Sequence, residues 1–411
     1  MALPIYLDYA ASTPIDPQVA ARMQAVLSSS EATANPSSAH PAGRAVAGRI
    51  SEARATVAAA IGAEPGEVIW TSGATEADNL AVIGGARMQR QRGRGHRVVT
   101  LATEHDAVLA ACEQLEAEGF EVTRLVPDVD GRVEPGLMAD VMADDVALVS
   151  VMAVNNETGV VQDIHAFGEL AHDYGALMHV DAAQGMAHWP ERLADWPIDL
   201  VSLSAHKWYG PPGVGALWRR ETPRARVAPL VVGGGQEGGL RSGTVAVHQV
   251  VGMAEAYRLW AERGAEDASH VGQLRERLEA GIARIDGLVR NGRRDGSART
   301  LNVSVAGVHG DALRAALADR VTLSAGSACS SREGEPSHVL RSMARPEALA
   351  AAALRISLGR DLSGEQLDEA VNTIAVVVEQ LRDASPAWRW LCDGTSMREL
   401  YGLSYEPPGL G

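Results

Sequence analysis

The sequence lacks the features that would direct it into a membrane or an oxidising compartment. No apolar run approaches the roughly 18 residues that a membrane-spanning helix needs, and the first residues have none of the basic character of a signal peptide. Only three cysteines occur, Cys112, Cys329 and Cys392, too few and too widely spaced for a disulfide framework or a CxxC metal site. These absences predict a soluble cytoplasmic protein without a membrane partner.

Positive charge is also scarce. The chain has 37 basic and 52 acidic residues, which gives a net charge of −15 at pH 7. Such a surface repels phosphate backbones, so direct binding to nucleic acid is not expected. The 411 residues are 46% hydrophobic and 22% charged, which excludes a disordered or collagen-like chain and allows one large or two moderate domains.

Lysine is almost absent. Of the 37 basic residues only Lys207 is a lysine, and the others are arginines. Arginine cannot lose its proton near neutral pH and condense with a carbonyl group, whereas a primary amine can. Lys207 is therefore either a chance survivor of the bias against lysine or an amine that forms a Schiff base.

Short β-branched runs alternate with amphipathic, alanine-rich segments over the first 250 residues. The predicted strands are Glu67–Thr71, Arg97–Leu101, Glu121–Leu125, Ala147–Met152, Ala176–Val180, Asp199–Leu203 and Gly215–Trp218. Strand–helix alternation with continuous apolar strands is typical of a parallel sheet covered on both faces. The predicted fold class is therefore α/β, with a mostly parallel seven-stranded sheet and helices on both faces.

Past about Val250 the pattern changes to a long helix, Ala254 through Arg284 with a break, and then to a mixed α+β block. This block predicts a second, smaller α+β domain. We expect residues 16–260 to form the large domain, and residues 1–15 together with 261–411 to form the small one.

Polar, reactive residues follow several predicted strands. The turn Thr71–Glu76 has small residues and precedes a helix, so it is either a phosphate cradle or an ordinary helix cap. Asp181 ends one strand, and Lys207 follows another. Ligands of parallel sheets collect at the carboxyl ends of the strands. A phosphate anchor, a carboxylate for a pyridinium nitrogen and an amine together predict a pyridoxal-phosphate site.

Other candidate residues are weighed against structural roles. His105 follows a strand and is either a structural histidine or a ring that stacks on the cofactor. His179 and Asp181 lie on one face without a third ligand nearby, so no metal site is predicted. Cys329 lies in a small, polar segment close to Arg332, where its thiol would be accessible and readily ionised. Cys112 fits a buried helix position, and no role is predicted for Cys392.

The ordered set of motifs resembles the cysteine desulfurases of the NifS/IscS type. The motifs are Tyr6–Ala11, Asn35–Ser38, Thr71–Glu76, Asn155–Gly159, the Asp181 and Lys207 segments, Arg241–Thr244 and the Cys329 loop. The resemblance runs from residue 3 to about Trp388. The tail beyond Pro386 differs from the family pattern, as do Gly238 and Ala34.

The resemblance implies a fold type I pyridoxal 5'-phosphate enzyme that works as a homodimer. Lys207 would hold the cofactor and move the α-proton, His105 would stack on its ring, and Asp181 would pair with the ring nitrogen. Further cofactor contacts are implied for Ala74, Thr75, Asn156, Gln184, Ser204 and His206, and for Thr244 across the dimer. Asn156 and Arg355 would bind the substrate carboxylate.

The implied reaction converts L-cysteine to L-alanine and leaves a persulfide on Cys329. Sulfur would then pass to acceptor proteins, such as a scaffold for iron–sulfur clusters, or to another thio-modification. An aminotransferase, a lyase that uses no thiol and a selenocysteine lyase are enzymatic alternatives. A non-catalytic scaffold with the same fold is the alternative from another class.

Overall fold

The structure is a computed structural model that describes residues 4–29, 34–186, 192–324 and 336–403. The strands within these ranges are β1 (Ile5–Tyr6), β2 (Val68–Thr71), β3 (Arg97–Leu101), β4 (Glu121–Leu125), β5 (Val146–Met152), β6 (Leu177–Asp181), β7 (Leu200–Ser204), β8 (Gly215–Arg219), β9 (Leu288–Asn291), β10 (Thr300–Val305), β11 (Val321–Thr322) and β12 (Ala353–Ser357).

The helices within the same ranges are α1 (Pro17–Leu27), α2 (Pro41–Ala60), α3 (Ala74–Asn79), α4 (Gly85–Gln91), α5 (Asp106–Ala117), α6 (Pro135–Ala139), α7 (Ile164–Asp173), α8 (Val247–Ile282), α9 (Gly310–Leu317), α10 (His338–Ser342), α11 (Glu347–Ala351), α12 (Gly364–Asp383), α13 (Pro386–Cys392) and α14 (Met397–Tyr401). A π-helical turn, Leu80–Gly84, joins α3 to α4. None of the helices described here is long and apolar enough to cross a membrane.

Seven strands form one sheet in the order β2-β8-β7-β6-β5-β3-β4. Neighbouring strands are parallel except where β8 pairs with β2 and with β7. The predicted seven-stranded, mostly parallel sheet is confirmed. Its parallel strands β2, β5, β6 and β7 all end at one edge of the sheet, and the polar residues that follow them therefore meet there.

Alternating side chains of the central strands enter two different cores. Val98 and Leu148 belong to the core on one face, whereas Val99 and Val149 belong to the core on the other. Because successive side chains of a strand point to opposite faces, a continuous apolar run can serve both cores. This explains why these strands read as unbroken β-branched runs.

The C-terminal half builds a smaller antiparallel sheet with the order β12-β10-β9. Its core combines residues from Val271 onward with Leu7 and Tyr9 from the N-terminal segment. The long helix was expected to contain a break, and this expectation is wrong, because α8 runs through 36 residues. Packing against α1, α2 and α12 stabilises the helix across Gly264 and Gly272.

The N-terminal segment joins the two halves of the molecule. Strand β1 pairs in parallel with β11, and Asp8 forms a single bridge with Ser357 at the end of β12. A few residues later, the backbone N–H and the hydroxyl of Thr13 both donate to the carbonyl of His206 at 2.8 Å. The segment therefore contacts the turn that carries Lys207, just after the end of β7.

Candidate active site

The carboxyl ends of the parallel strands surround one cavity of about 280 Å³. The predicted site residues that line it are Ala74, Thr75, His105, Asn156, Asp181, Gln184, His206, Lys207 and Arg355. Residues from the first turn of α3, from loops after β3 and β5, from β6 and from β12 thus reach one place. The residues that come from the large sheet meet here because ligands of parallel sheets collect at the carboxyl ends of the strands. Among the predicted residues, only Arg355 comes from the smaller sheet.

Lys207 lies in a tight turn directly after β7. Thr13 accepts a hydrogen bond from the Tyr209 N–H at 2.7 Å, and the Gly210 N–H donates to the carbonyl of Ala205 at 3.0 Å. Tyr209 adopts a φ of 63°, a left-handed conformation that a side-chain-bearing residue adopts only when its surroundings enforce it. The turn is thus fixed by contacts from outside β7.

Asp181 ends β6, the strand next to β7, and is almost fully buried. One carboxylate oxygen accepts the Ala183 N–H at 2.8 Å. Burial raises the pKa of two nearby carboxyls, Asp78 and Glu104, well above the ordinary range, and the charge of Asp181 raises both further. These shifts favour protonated Asp78 and Glu104 beside Asp181.

His179 lies in the same network but does not line the cavity. Its ring nitrogens lie 2.8 Å from Ser150 Oγ and 3.0 Å from Ser202 Oγ. Burial lowers the pKa of His179 to about 4, an effect that the charge of Asp181 only partly offsets. The ring is therefore a neutral bridge between strands β5, β6 and β7.

The other end of the cavity is formed by the turn between β2 and α3. A Cβ atom added to Gly73 would meet nothing within 4 Å, so this backbone borders open space at the start of a helical stretch. Ser204, at the end of β7, has a buried Oγ that makes no hydrogen bond within the described residues. Burial, followed by the nearby charge of Lys207, lowers the pKa of His206 to about 4.

These features fit pyridoxal phosphate. A helix start with accessible backbone N–H groups and small residues suits a phosphate, and the orphaned Ser204 hydroxyl offers a further donor. Gln184 is held by donating its amide N–H to the carbonyl of Ala10 at 2.7 Å. The buried carboxylate of Asp181 suits the pyridine nitrogen.

His105 caps the N-terminus of α5. Its Nδ1 accepts the Ala107 N–H at 3.1 Å, which leaves the proton of a neutral ring on Nε2. Burial lowers the pKa of His105, and the charge of Lys207 lowers it further. The ring is thus neutral and available for stacking.

Arg355 reaches the cavity from β12 and exposes only 2% of its side chain. Its Nη2 lies 2.7 Å from Asp8 Oδ1, and its Nη1 donates to the carbonyl of Asn156 at 3.1 Å. A guanidinium held by two partners keeps a fixed orientation, which suits bidentate binding of a carboxylate.

Two predicted site residues of the described ranges, Ser204 and Thr244, do not line this cavity. Ser204 is buried at the end of β7, as described above. Thr244 is exposed and lines a different surface cavity together with Asn35 and Pro36. Cys329 lies outside the described residues. The other cysteines differ in environment, because Cys112 is buried with a pKa raised to about 12 by that burial, whereas Cys392 is exposed.

Sequence reasoning missed several residues around the cavity. His338 lines it, and its Nε2 lies 3.0 Å from the carbonyl of Glu104. The neighbouring Ser337 donates its hydroxyl proton to the buried carboxylate of Glu157. The one available signal for Glu104 was its position beside His105 after a strand. No local pattern indicates His338, because its partners lie more than 200 residues away.

The chain matches the model of the aminotransferase class-V family over residues 5–369. The cysteine desulfurase IscS of Proteus mirabilis is 46% identical over 402 residues, which covers 97% of this chain and 99% of that protein. A solved NifS-like protein is similar with a TM-score of 0.84 and 32% identity, covering 92% of this chain and 100% of that one. A structure of SspA in complex with cysteine has a TM-score of 0.77 and 34% identity, covering 86% and 99%.

The match to the Proteus mirabilis protein extends past the point where the resemblance was expected to end. The unmatched 3% amounts to about a dozen of the 411 residues, whereas 23 residues follow Trp388. The expectation that similarity stops near Trp388 is therefore wrong. The residues of helix α13 therefore lie within the matched part of this chain.

Proposed function

Because the chain belongs to the class-V aminotransferase family and, within it, to the cysteine desulfurases of the IscS and NifS type, we propose that Lys207, Arg355 and Cys329 perform its reaction. The enzyme depends on pyridoxal phosphate, uses cysteine and transfers its sulfur to acceptors. The residue roles given below are proposals.

One observation carries these assignments: the chain's single lysine shares a cavity with Asp181 and Arg355. When bound, pyridoxal phosphate supplies an electron sink for the α-carbon of the substrate. We assign Lys207 Nζ to the attachment of the cofactor and to transfer of the α-proton. Asp181 holds the ring nitrogen, and the neutral ring of His105 stacks on the cofactor.

The remaining residues bind and orient the cofactor and the substrate. Ala74, Thr75, Ser204 and His206 hold the phosphate, and Gln184 contacts the ring oxygen. Arg355 and Asn156 bind the substrate carboxylate, with Asn156 also next to the cofactor ring. Since Asp8 already orients the guanidinium of Arg355 at 2.7 Å, little side-chain freedom is lost when the substrate binds.

The Cys329 thiolate attacks the sulfur atom of L-cysteine. An S–S bond forms while the C–S bond of the substrate breaks, and the electron pair of that bond stays with the carbon. The carbon takes up a proton and leaves as L-alanine, so the substrate carbon is reduced and the Cys329 sulfur is oxidised to a persulfide. Cys112 is unsuited to this role, because its buried thiol resists ionisation.

A single-turnover experiment with cysteine variants tests this proposal. The loaded enzyme, given one equivalent of L-cysteine, should gain about 32 Da, one sulfur atom, on the Cys329 peptide. Cys329→Ala should keep its fold and cofactor absorbance but lose persulfide and alanine formation. Cys112→Ala and Cys392→Ala are matched controls that should behave like the wild type. Full alanine production by Cys329→Ala would instead indicate a lyase that uses no thiol.

We further propose that the enzyme is a homodimer in which Thr244 reaches the phosphate of the partner subunit's cofactor. Thr244 is exposed and does not line the cavity that holds Lys207, so a role at the cofactor requires a second copy of the chain.

The likeness to IscS proteins supports a cytoplasmic enzyme whose acceptors include an iron–sulfur scaffold. Transfer of labelled sulfur from Cys329 to a purified scaffold protein tests this assignment.

We also propose the division into a large cofactor-binding domain, residues 16–260, and a small domain of residues 1–15 and 261–411 that carries Cys329. The separate core formed by Leu7, Tyr9 and residues from Val271 onward supports it. Hydrogen exchange that reports one cooperative unit, rather than two, would contradict this division.

A further inference from the structure

The turn that carries Lys207 is contacted by an arginine from the smaller sheet. Arg299 directly precedes β10, and its Nη2 donates to the carbonyl of Lys207 at 3.2 Å. The same guanidinium lies over the ring of Trp208, with its carbon 4.4 Å from the ring centre. Arg299 therefore contacts two consecutive residues of the turn at once.

Trp208 links Arg299 to Asp181 through hydrogen bonds. Its indole N–H donates to the carbonyl of Ala183 at 3.0 Å, and the Ala183 N–H donates to the carboxylate of Asp181 at 2.8 Å. Arg299, Lys207 and the residue assigned to the cofactor ring nitrogen are thus joined by short contacts.

Arg299 also has a direct connection to the strand that presents Arg355. The carbonyl of Arg299 accepts the Leu358 N–H at 2.8 Å, and β10 pairs with β12 from Thr300 opposite Ser357 onward. One residue therefore bridges the backbone that positions the substrate-binding guanidinium and the backbone that positions the amine.

Burying the charged guanidinium of Arg299 at this position costs free energy. Nη1 of Arg299 is buried and makes no hydrogen bond in the part of the chain that the structure describes. No carboxylate of that part forms an ion pair with it, and burial lowers the pKa of Arg299. Arginine is seldom buried without a charged partner. An apolar side chain could pack on Trp208 without this cost, but it could not bind the Lys207 carbonyl.

We propose that Arg299 is a positioning residue, which fixes the Lys207–Trp208 turn relative to the strand that carries Arg355. It touches neither substrate nor cofactor. Arg299 acts by keeping the distance between the Lys207 amine and the bound substrate carboxylate constant. This inference rests on the roles proposed above for Lys207 and Arg355.

Two variants and one control test this inference in the loaded enzyme. Arg299→Met keeps an apolar stem but loses the charge and the donor. Since a small misplacement of reacting groups is costly, its kcat should fall about 10- to 100-fold. The KM for L-cysteine should stay within about threefold, because the groups that bind substrate remain. Arg277→Met is the control, since Arg277 pairs with Asp368 on the exposed surface of the same half.

A spectroscopic measurement separates positioning from simple destabilisation. Removing a positive charge close to Lys207 should raise the pH midpoint of the absorbance change of the bound cofactor by on the order of half to one pH unit. Arg299→Lys should restore this midpoint but not kcat, because an ammonium keeps the charge without stacking and donating in one plane. Arg277→Met should change neither quantity.

Several results would overturn the inference. One is a wild-type kcat in Arg299→Lys. Another is a loss of kcat in Arg299→Met that Arg277→Met shares, together with an equal drop in Tm. If Arg299→Met does not fold, Arg299→Lys still decides, because it is the milder change. Borohydride reduction of the wild-type enzyme should attach the cofactor to the Lys207 peptide. Without that attachment the role of Lys207 fails first, and that of Arg299 falls with it.

Discussion

Buried side chains around Asp181 are neutral by virtue of their surroundings. Burial raises the pKa of Asp78 and Glu104 and lowers that of His179 to about 4. In each case the charged form is disfavoured because water is excluded. Asp78, Glu104 and His179 are therefore neutral next to Asp181, the residue to which we assign the cofactor ring nitrogen.

The shift of His179 makes stability depend on pH. The folded-state pKa of about 4 lies below the ordinary value of 6.5, so between these values the unfolded chain binds more protons than the folded one. Stability is then lost as the pH falls, by about 2 kcal/mol from this residue between pH 7 and pH 5. Urea unfolding at both pH values should show a smaller loss for His179→Gln than for the wild type. The exposed residue His165 provides the control, and a His165→Gln protein with the same reduced loss would refute the assignment.

At the level of elements, the absence of a side chain at Gly215 allows β8 to approach the turn after β2. A Cβ atom at Gly215 would lie 2.7 Å from the Cα of Gly73 and 2.5 Å from the carbonyl oxygen of Leu203. Both contacts involve backbone, which cannot swing aside. The close approach brings the β2–α3 turn next to the end of β7, and it thereby forms the end of the cavity assigned to the phosphate.

Gly215→Ala should therefore separate these elements. We expect the free energy of unfolding to fall by about 1–3 kcal/mol, as for other overpacked sites, and the affinity for pyridoxal phosphate to fall with it. An absorbance titration of the cofactor-free protein measures the affinity. Gly66→Ala is the matched control, because Gly66 has no neighbour closer than 4.0 Å. Equal affinities in the two variants would contradict this account.

The sequence allowed the elements to be predicted more closely than the contacts between them. All seven strands of the main sheet were predicted within about one residue, because β-branched runs end at polar or glycine residues. Asp181 and Lys207 were predicted from their positions at strand ends, without the family resemblance, and both line the cavity. Arg355 and Gln184 were expected only from the resemblance. Arg299 was not predicted, because its contact with Lys207 joins residues 92 apart in sequence.

For the molecule as a whole, an exposed apolar patch supports the proposed dimer. Val232 is 78% exposed and Val231 45% exposed, and Val231 forms a bridge with Arg241, three residues before Thr244. Large apolar side chains grouped on a surface mark interaction sites. The patch is thus joined to the segment that carries Thr244.

Val232→Arg should weaken the dimer by about tenfold or more, because a charge replaces an apolar side chain at an interface. Sedimentation velocity over a range of concentrations should show more monomer, and dialysis should remove more cofactor. Val376→Arg changes another exposed valine, 46% exposed on α12, and should remain dimeric. A wild-type sedimentation profile for Val232→Arg would argue against this interface.

The pairing of the N-terminal segment has a consequence for biosynthesis. Strand β1 pairs with β11, more than 300 residues later, and Asp8 bridges to Ser357. At about 5–20 residues per second, the ribosome needs on the order of tens of seconds to produce these partners. Throughout that time the nascent chain can assemble the central sheet, but the segment that braces Lys207 from the amino-terminal side has no strand to join. The turn that carries Lys207 therefore acquires its final support only when translation is nearly complete.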